Sequence, residues 1–293
     1  MFLFIQLELP WELGPADGRY LLRAEADGEP ERVVVLETVG ALRRGQDGRT
    51  TGAARHRGLA ARRRPQVEPE PEPETVAVTR ATVIDPVSVS AESQARAWLS
   101  GLDVEREATA AAGTLNRMLA AQRIAMADPY VRELSPAQAL VIRAGWGEGE
   151  QVAYGRWLHA RELRLNDRRT RGRAGALRPQ ERLAAFLAAR QRVLLCEELA
   201  LRSRLDLDSG RLALAAIGVE RAYAAALVEL PAEERPELGE RLDELAQLNP
   251  GVVHTANAAL SGEAARLDAD AVAHTLGRLE AALRARAAAG FRD

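Results

Sequence analysis

The first residues of the chain alternate. Leu3, Ile5, Leu7 and Leu9 fall on one face of an extended backbone, with Gln6 and Glu8 on the other. This period of two predicts a half-buried strand over Phe2–Leu9. Gly14-Pro15-Ala16-Asp17-Gly18 is turn chemistry, and Arg19–Glu25 follows as a second short strand. Asp27-Gly28-Glu29-Pro30 is a further turn, and the β-branched run Val33–Leu36 suits a third strand. Three such strands are too small a unit to be stable unaided. Val76–Ile84 reads as a fourth. The arrangement favoured has it joining the first three, which makes the intervening 41–75 stretch an excursion out of one sheet.

After Pro86 the period becomes helical. Ser90 or Ser93 can cap a helix containing Ala97, Trp98 and Leu102. Val104–Ala127 continues with Leu115, Met118, Leu119 and Ala125 inward, and Asp128-Pro129 stops it. Ser135 as N-cap with Pro136 behind it predicts a helix over Ala137–Ala144. Gly145-Trp146-Gly147-Glu148-Gly149 breaks it, and Glu150–Leu165 is again read as helix. Pro179 opens the clearest helix, whose apolar positions Phe186, Ala189, Val193, Cys196, Ala200 and Leu207 recur at spacings of three, four or seven, flanked by Leu187, Leu194 and Leu201. Asp208-Ser209-Gly210 ends it. Leu212, Ala216, Val219, Tyr223, Ala226 and Leu230 then step by four and three, a bundle or coiled-coil seam. So short a joint predicts an antiparallel hairpin, with Arg211 on its exposed surface. Shorter helices follow at Glu237–Leu248 and Val253–Leu260. The last, Asp268–Ala288, carries Val272, Leu276, Leu279 and Leu283 on one face.

The fold class predicted is α+β: a small N-terminal antiparallel β-sheet, a disordered charged excursion, then a mostly α-helical body with a long antiparallel helical hairpin. In domain terms, residues 1–40 with 76–90 form the sheet, 41–75 the tether and 91–293 the helical domain.

Composition refines this picture. Of 293 residues 47% are hydrophobic but only 4% aromatic, so the core must be built from Leu, Ala and Val. The formal net charge of −2 gives no global attraction to nucleic acid or anionic membrane. Charge is segregated locally. Ala41–Arg64 holds eight arginines against Asp47 alone, and Pro65–Thr75 holds four glutamates and no base. Such a stretch has too few large apolar side chains to offset the entropy of ordering it. All 40 basic residues are arginine, which removes the phosphate-loop lysine, the kinase lysine and any Schiff-base lysine. Cys196 is the single cysteine, so neither an internal disulfide nor a CxxC metal site can form. The first ten residues lack a basic leader, and no 18-residue window is free of charge, which makes the cytoplasm the default location and predicts no membrane partner.

No motif points to a reaction. Gly145-x-Gly147-x-Gly149 has the wrong spacing for a dinucleotide loop, and Glu148 and Glu150 would repel phosphate, so it is read as a structural turn. His159 and Glu162 read as a solvated pair on one helix. Cys196 lies on an apolar stripe and reads as core. No G-x-S-x-G or H-E-x-x-H motif is present, and no metal or cofactor is called for.

One aromatic cluster stands out. Trp146, Tyr154 and Trp157 lie within twelve residues, with Arg143 and Arg156 beside them. Tryptophan, tyrosine and arginine dominate interface hot spots. The leading expectation is therefore a non-enzymatic interaction or scaffold protein that binds a protein partner through this patch, or associates with itself through its helical body. Nucleic-acid binding through Arg55, Arg57, Arg62, Arg63 and Arg64 is the alternative, since flexible arginines neutralise phosphates without reading sequence. An enzyme with a scattered site is the second alternative.

Overall fold

Strand β1 spans Phe2–Leu9 and sits in the middle of a six-stranded antiparallel sheet. The others are β2 (Gly18–Leu22), β3 (Arg32–Val39), β4 (Val78–Ile84), β5 (Val141–Gly147) and β6 (His159–Leu163), in the order β2-β3-β4-β1-β5-β6. This computed structural model describes residues 1–40, 77–165, 178–262 and 267–288. The expected fourth strand therefore joins the first three, and Val39 pairs with Val78 across the ends of the excursion. The charged tether, with Arg55, Arg57, Arg62, Arg63 and Arg64, lies outside the described residues, as do residues 166–177.

The alternation of β1 has the predicted consequence. Ile5, Leu7 and Leu9 face α1 (Glu92–Ser100) and α2 (Val104–Met126) and share one core with Val34, Leu36, Val83 and Ile142. The opposite face is not simply solvated. Phe4, Val33, Val35 and Ile84 are covered there by the 3-10 turn Gly149–Tyr154, which buries Val152 and Ala153. Gln6 is fully buried on that face, with its amide donating to Thr82 Oγ1 at 2.9 Å and to the Ala153 carbonyl at 3.4 Å.

Two helices expected between 137 and 165 are strands. Ser135 does cap a turn, as read, and Gln138 closes its capping box, but the turn is one 3-10 repeat, Pro136–Gln138. The chain then enters β5, where Ile142, Ala144 and Trp146 face the core and Arg143 faces away. The glycines that suggested a break are required by close neighbours instead. A Cβ on Gly145 would lie 2.2 Å from the His159 carbonyl oxygen, and one on Gly147 2.6 Å from Val152 Cγ1. His159 and Glu162, three apart on β6, consequently point to opposite faces rather than pairing on a helix.

The rest is helical: α3 (Pro179–Leu187), α4 (Leu195–Asp208), α5 (Leu212–Glu229), α6 (Gly239–Gln247), α7 (Asn249–Leu260) and α8 (Ala269–Ala288). The seam along α5 is as read, with Ala216, Val219, Tyr223 and Ala226 buried against α4 and α8. All four expected apolar positions of α8 are buried. The single helix expected from Pro179 to Leu207 is instead two. Ala189 adopts a left-handed backbone (φ 53°), and the N–H groups of Arg190 and Gln191 both turn back to the Ala185 carbonyl. The break leaves Val193, expected on the apolar stripe, and Leu187, expected to flank it, exposed. Arg211 is also not a surface residue. Its side chain is only 15% exposed and pairs with Asp206 at 2.7 Å and Glu133 at 2.8 Å.

Candidate functional site

The five residues of the aromatic cluster do not form one surface. Trp146 is 1% exposed, on the face of β5 that packs against the helices. Its ring stacks on His159 (centroids 4.7 Å apart), and the Arg96 guanidinium sits 5.9 Å from its centroid. Trp146 thus belongs to the core and cannot anchor a partner. Arg143 lies on the other face, held by Glu8 at 2.7 Å in a ladder in which Glu8 also meets Arg80 at 3.2 Å. Trp157 is half-buried and stacks on Phe4 at 5.9 Å. Only Tyr154 and Arg156 are exposed, on the turn between β5 and β6. A strand reverses its side chains every residue, so the predicted grouping, which assumed helices, was split between two faces.

The helical half holds a stronger concentration of chemistry. Charges run as a chain between α3, α4, α8 and the turn after α5. Glu197 on α4 accepts from Arg182 Nη2 at 2.8 Å and faces Arg286 Nη1 at 3.2 Å. Arg286, 2% exposed on α8, donates through Nε and Nη2 to both oxygens of Glu233. Arg235 meets the same carboxylate at 3.1 Å.

Beside the chain, Glu229 at the end of α5 caps the start of α4. Its two oxygens accept the N–H groups of Leu195 at 3.0 Å and Cys196 at 2.9 Å. Burial alone would raise the Glu229 carboxyl. The two backbone donors outweigh burial and hold it below its ordinary value. Glu233 follows the same pattern, with burial opposed by Arg286. Burial and then the neighbouring Glu229 push the Cys196 thiol up to about 12, so at neutral pH it is an inert core thiol.

Two concavities flank this chain, and a third lies elsewhere. An apolar groove of about 400 Å³ runs between α3, α4 and α8, lined by Phe186, Val193, Leu201, Leu283 and Ala287. Arg182, Glu198 and Arg284 also line it. A polar cavity of about 510 Å³ lies where the α3–α4 loop meets the end of α5. A third hollow, of about 490 Å³, brings His254 and His274 near Asp270, but among the described residues no three ligands come together for a metal ion. No family model, curated protein or solved structure matches this chain.

The sequence did carry one signal for the ion chain. Arg286 continues the spacing of Val272, Leu276, Leu279 and Leu283, which places a charge on an apolar stripe. Glu229 gave none, because its partners lie 33 and 34 residues away and only the hairpin brings them together.

Proposed function

We propose that the chain is a non-enzymatic interaction or scaffold protein, working in the cytoplasm, that holds an amphipathic helix of a partner protein in the groove between α3, α4 and α8. One observation carries this reading. Leu201 and Val193 are 71% and 58% exposed, yet they line the same concavity as Phe186 and Leu283. An apolar hollow that water fills in the free protein gains by closure, at roughly 25 cal/mol per Å² of apolar surface removed. The helix-in-groove mode suits its shape: apolar anchors enter the floor while a rim of both charge signs orients them. Arg182 is already placed over the Phe186 ring, 5.3 Å from its centroid.

The reading is tested by affinity capture with the wild-type chain and Leu201→Glu, alongside light scattering of both. A partner held by the wild type and released by Leu201→Glu, with the circular dichroism spectrum unchanged, is the expected result. Identical capture profiles would remove the groove as an interaction site. A wild-type dimer that Leu201→Glu converts to monomer would mean that the occupant is a second copy of the chain.

A further inference from the structure

The cavity at the α3–α4 loop has features that the groove reading does not use, and it shares no lining residue with the groove. Arg190, Arg192, Arg235 and Arg286 line it together with Glu229 and Glu233. Both carboxylates are engaged, Glu229 on the start of α4 and Glu233 on Arg286 and Arg235. Four guanidiniums face two carboxylates, so the lining carries two positive charges in excess. Among the described residues, neither Arg190 nor Arg192 makes a side-chain hydrogen bond or salt bridge, although Arg192 lies close enough to Glu229 to help hold its carboxyl down.

Two further observations concern the same loop. The side-chain oxygen of Gln191 is buried with no donor against it. A buried acceptor left unpaired costs free energy, which marks this loop as a strained one. The loop is also held in place rather than free to choose. Ala189 sits in the left-handed region, which a residue with a Cβ enters at a cost, and the two N–H bonds to the Ala185 carbonyl fix the backbone of Arg190 and Gln191. Arg190 and Arg192, two residues apart, are thus carried on a fixed turn at the cavity lining.

We propose that this cavity binds a small phosphorylated molecule. Arg190 and Arg192 would grip the phosphate, because two guanidinium forks match its oxygens in number and geometry. Leu194, Val228 and Ala232 supply apolar walls, and about 510 Å³ leaves room for an organic body beyond the phosphate.

Calorimetric titration with pyrophosphate and with a sugar phosphate, at matched ionic strength in sodium chloride, tests this on the full chain. Saturable binding by the wild type should weaken at least tenfold in Arg190→Gln/Arg192→Gln, whose circular dichroism spectrum should be unchanged because both side chains are exposed. Val228→Glu, which adds a negative charge to the lining from a 72% exposed position, should weaken it similarly. No saturable heat with either probe, or equal affinity in the wild type and both variants, would overturn the proposal. Tighter binding of a phosphoserine peptide than of every free phosphate would overturn the assignment to a small molecule.

Discussion

Glu229 does a backbone's work with a side chain. The start of α4 has orphan N–H groups, and no residue before it caps them through its side chain. The carboxylate comes from the far end of the hairpin instead. Because its folded pKa is depressed, its contribution is fully present above the ordinary carboxylate value, about 4.3. That contribution is lost as the pH falls through the folded value. Glu229→Gln should therefore lower the urea midpoint at pH 7 by the equivalent of about 1–2 kcal/mol. The gap between variant and wild type should narrow as the pH falls below 4. A gap that is constant with pH would show that the charge is not what caps α4. None of this was legible from the residues around Glu229, whereas the burial of Cys196 was, because that depended only on a local stripe.

Among the elements, β5 shows how a correct local signal can mislead. Ser135 and Pro136 do start a turn, but a cap says nothing about how long the helix behind it runs. The alternation Ile142, Ala144, Trp146 against Arg143 was present in the sequence, and the two glycines concealed it. They resemble helix breakers until the facing strand and turn are known, after which Gly145 and Gly147 are positions with no room for a Cβ. The α3–α4 break was less legible still, since its residues include neither glycine nor proline. Its consequence can be measured. Leu194 is 7% exposed and Leu201 71%, although both were expected to flank the buried stripe of one helix. Leu194→Ala should cost roughly 2–5 kcal/mol. Leu201→Ala should stay within about 0.5 kcal/mol. Equal losses in chemical unfolding would show that the stripe is continuous after all.

At the scale of the whole molecule, the chain reads as a sheet half and a helical half that meet at α2. A Cβ on Gly113 would lie 2.9 Å from the Asp208 carbonyl oxygen, so the two backbones touch there with no side chain between them. Fold class was legible because each half repeats its own period over many residues. The membership of β5 in the sheet was not, because its partner β1 lies more than a hundred residues away, and β6 joins only through β5. Among the described residues no helix is long and apolar enough to cross a membrane. The expectation of nucleic-acid binding through Arg55, Arg57, Arg62, Arg63 and Arg64 has its own measurement. Binding to duplex at about 50 mM salt should fall steeply with added salt, and replacing Arg62, Arg63 and Arg64 with Gln should flatten that dependence. Absence of binding at low salt would discard it.

Where the halves meet, Glu133 is shared. Its side chain is 4% exposed and accepts Arg123 of α2 at 2.6 Å and Arg211, just before α5, at 2.8 Å. Asn116 fixes the neighbouring residue from both sides, exchanging hydrogen bonds with the Leu134 backbone. If the helical half alone unfolds, Glu133 loses one of its two counter-charges. If the sheet half alone unfolds, Arg211 loses Glu133. Each half therefore raises the free energy of the other's partial unfolding, and melting should be cooperative across both. Glu133→Gln keeps the shape and removes the shared charge. It should cost about 3 kcal/mol and split one calorimetric transition into two. One transition at the wild-type midpoint would mean that the halves are joined by apolar contact alone.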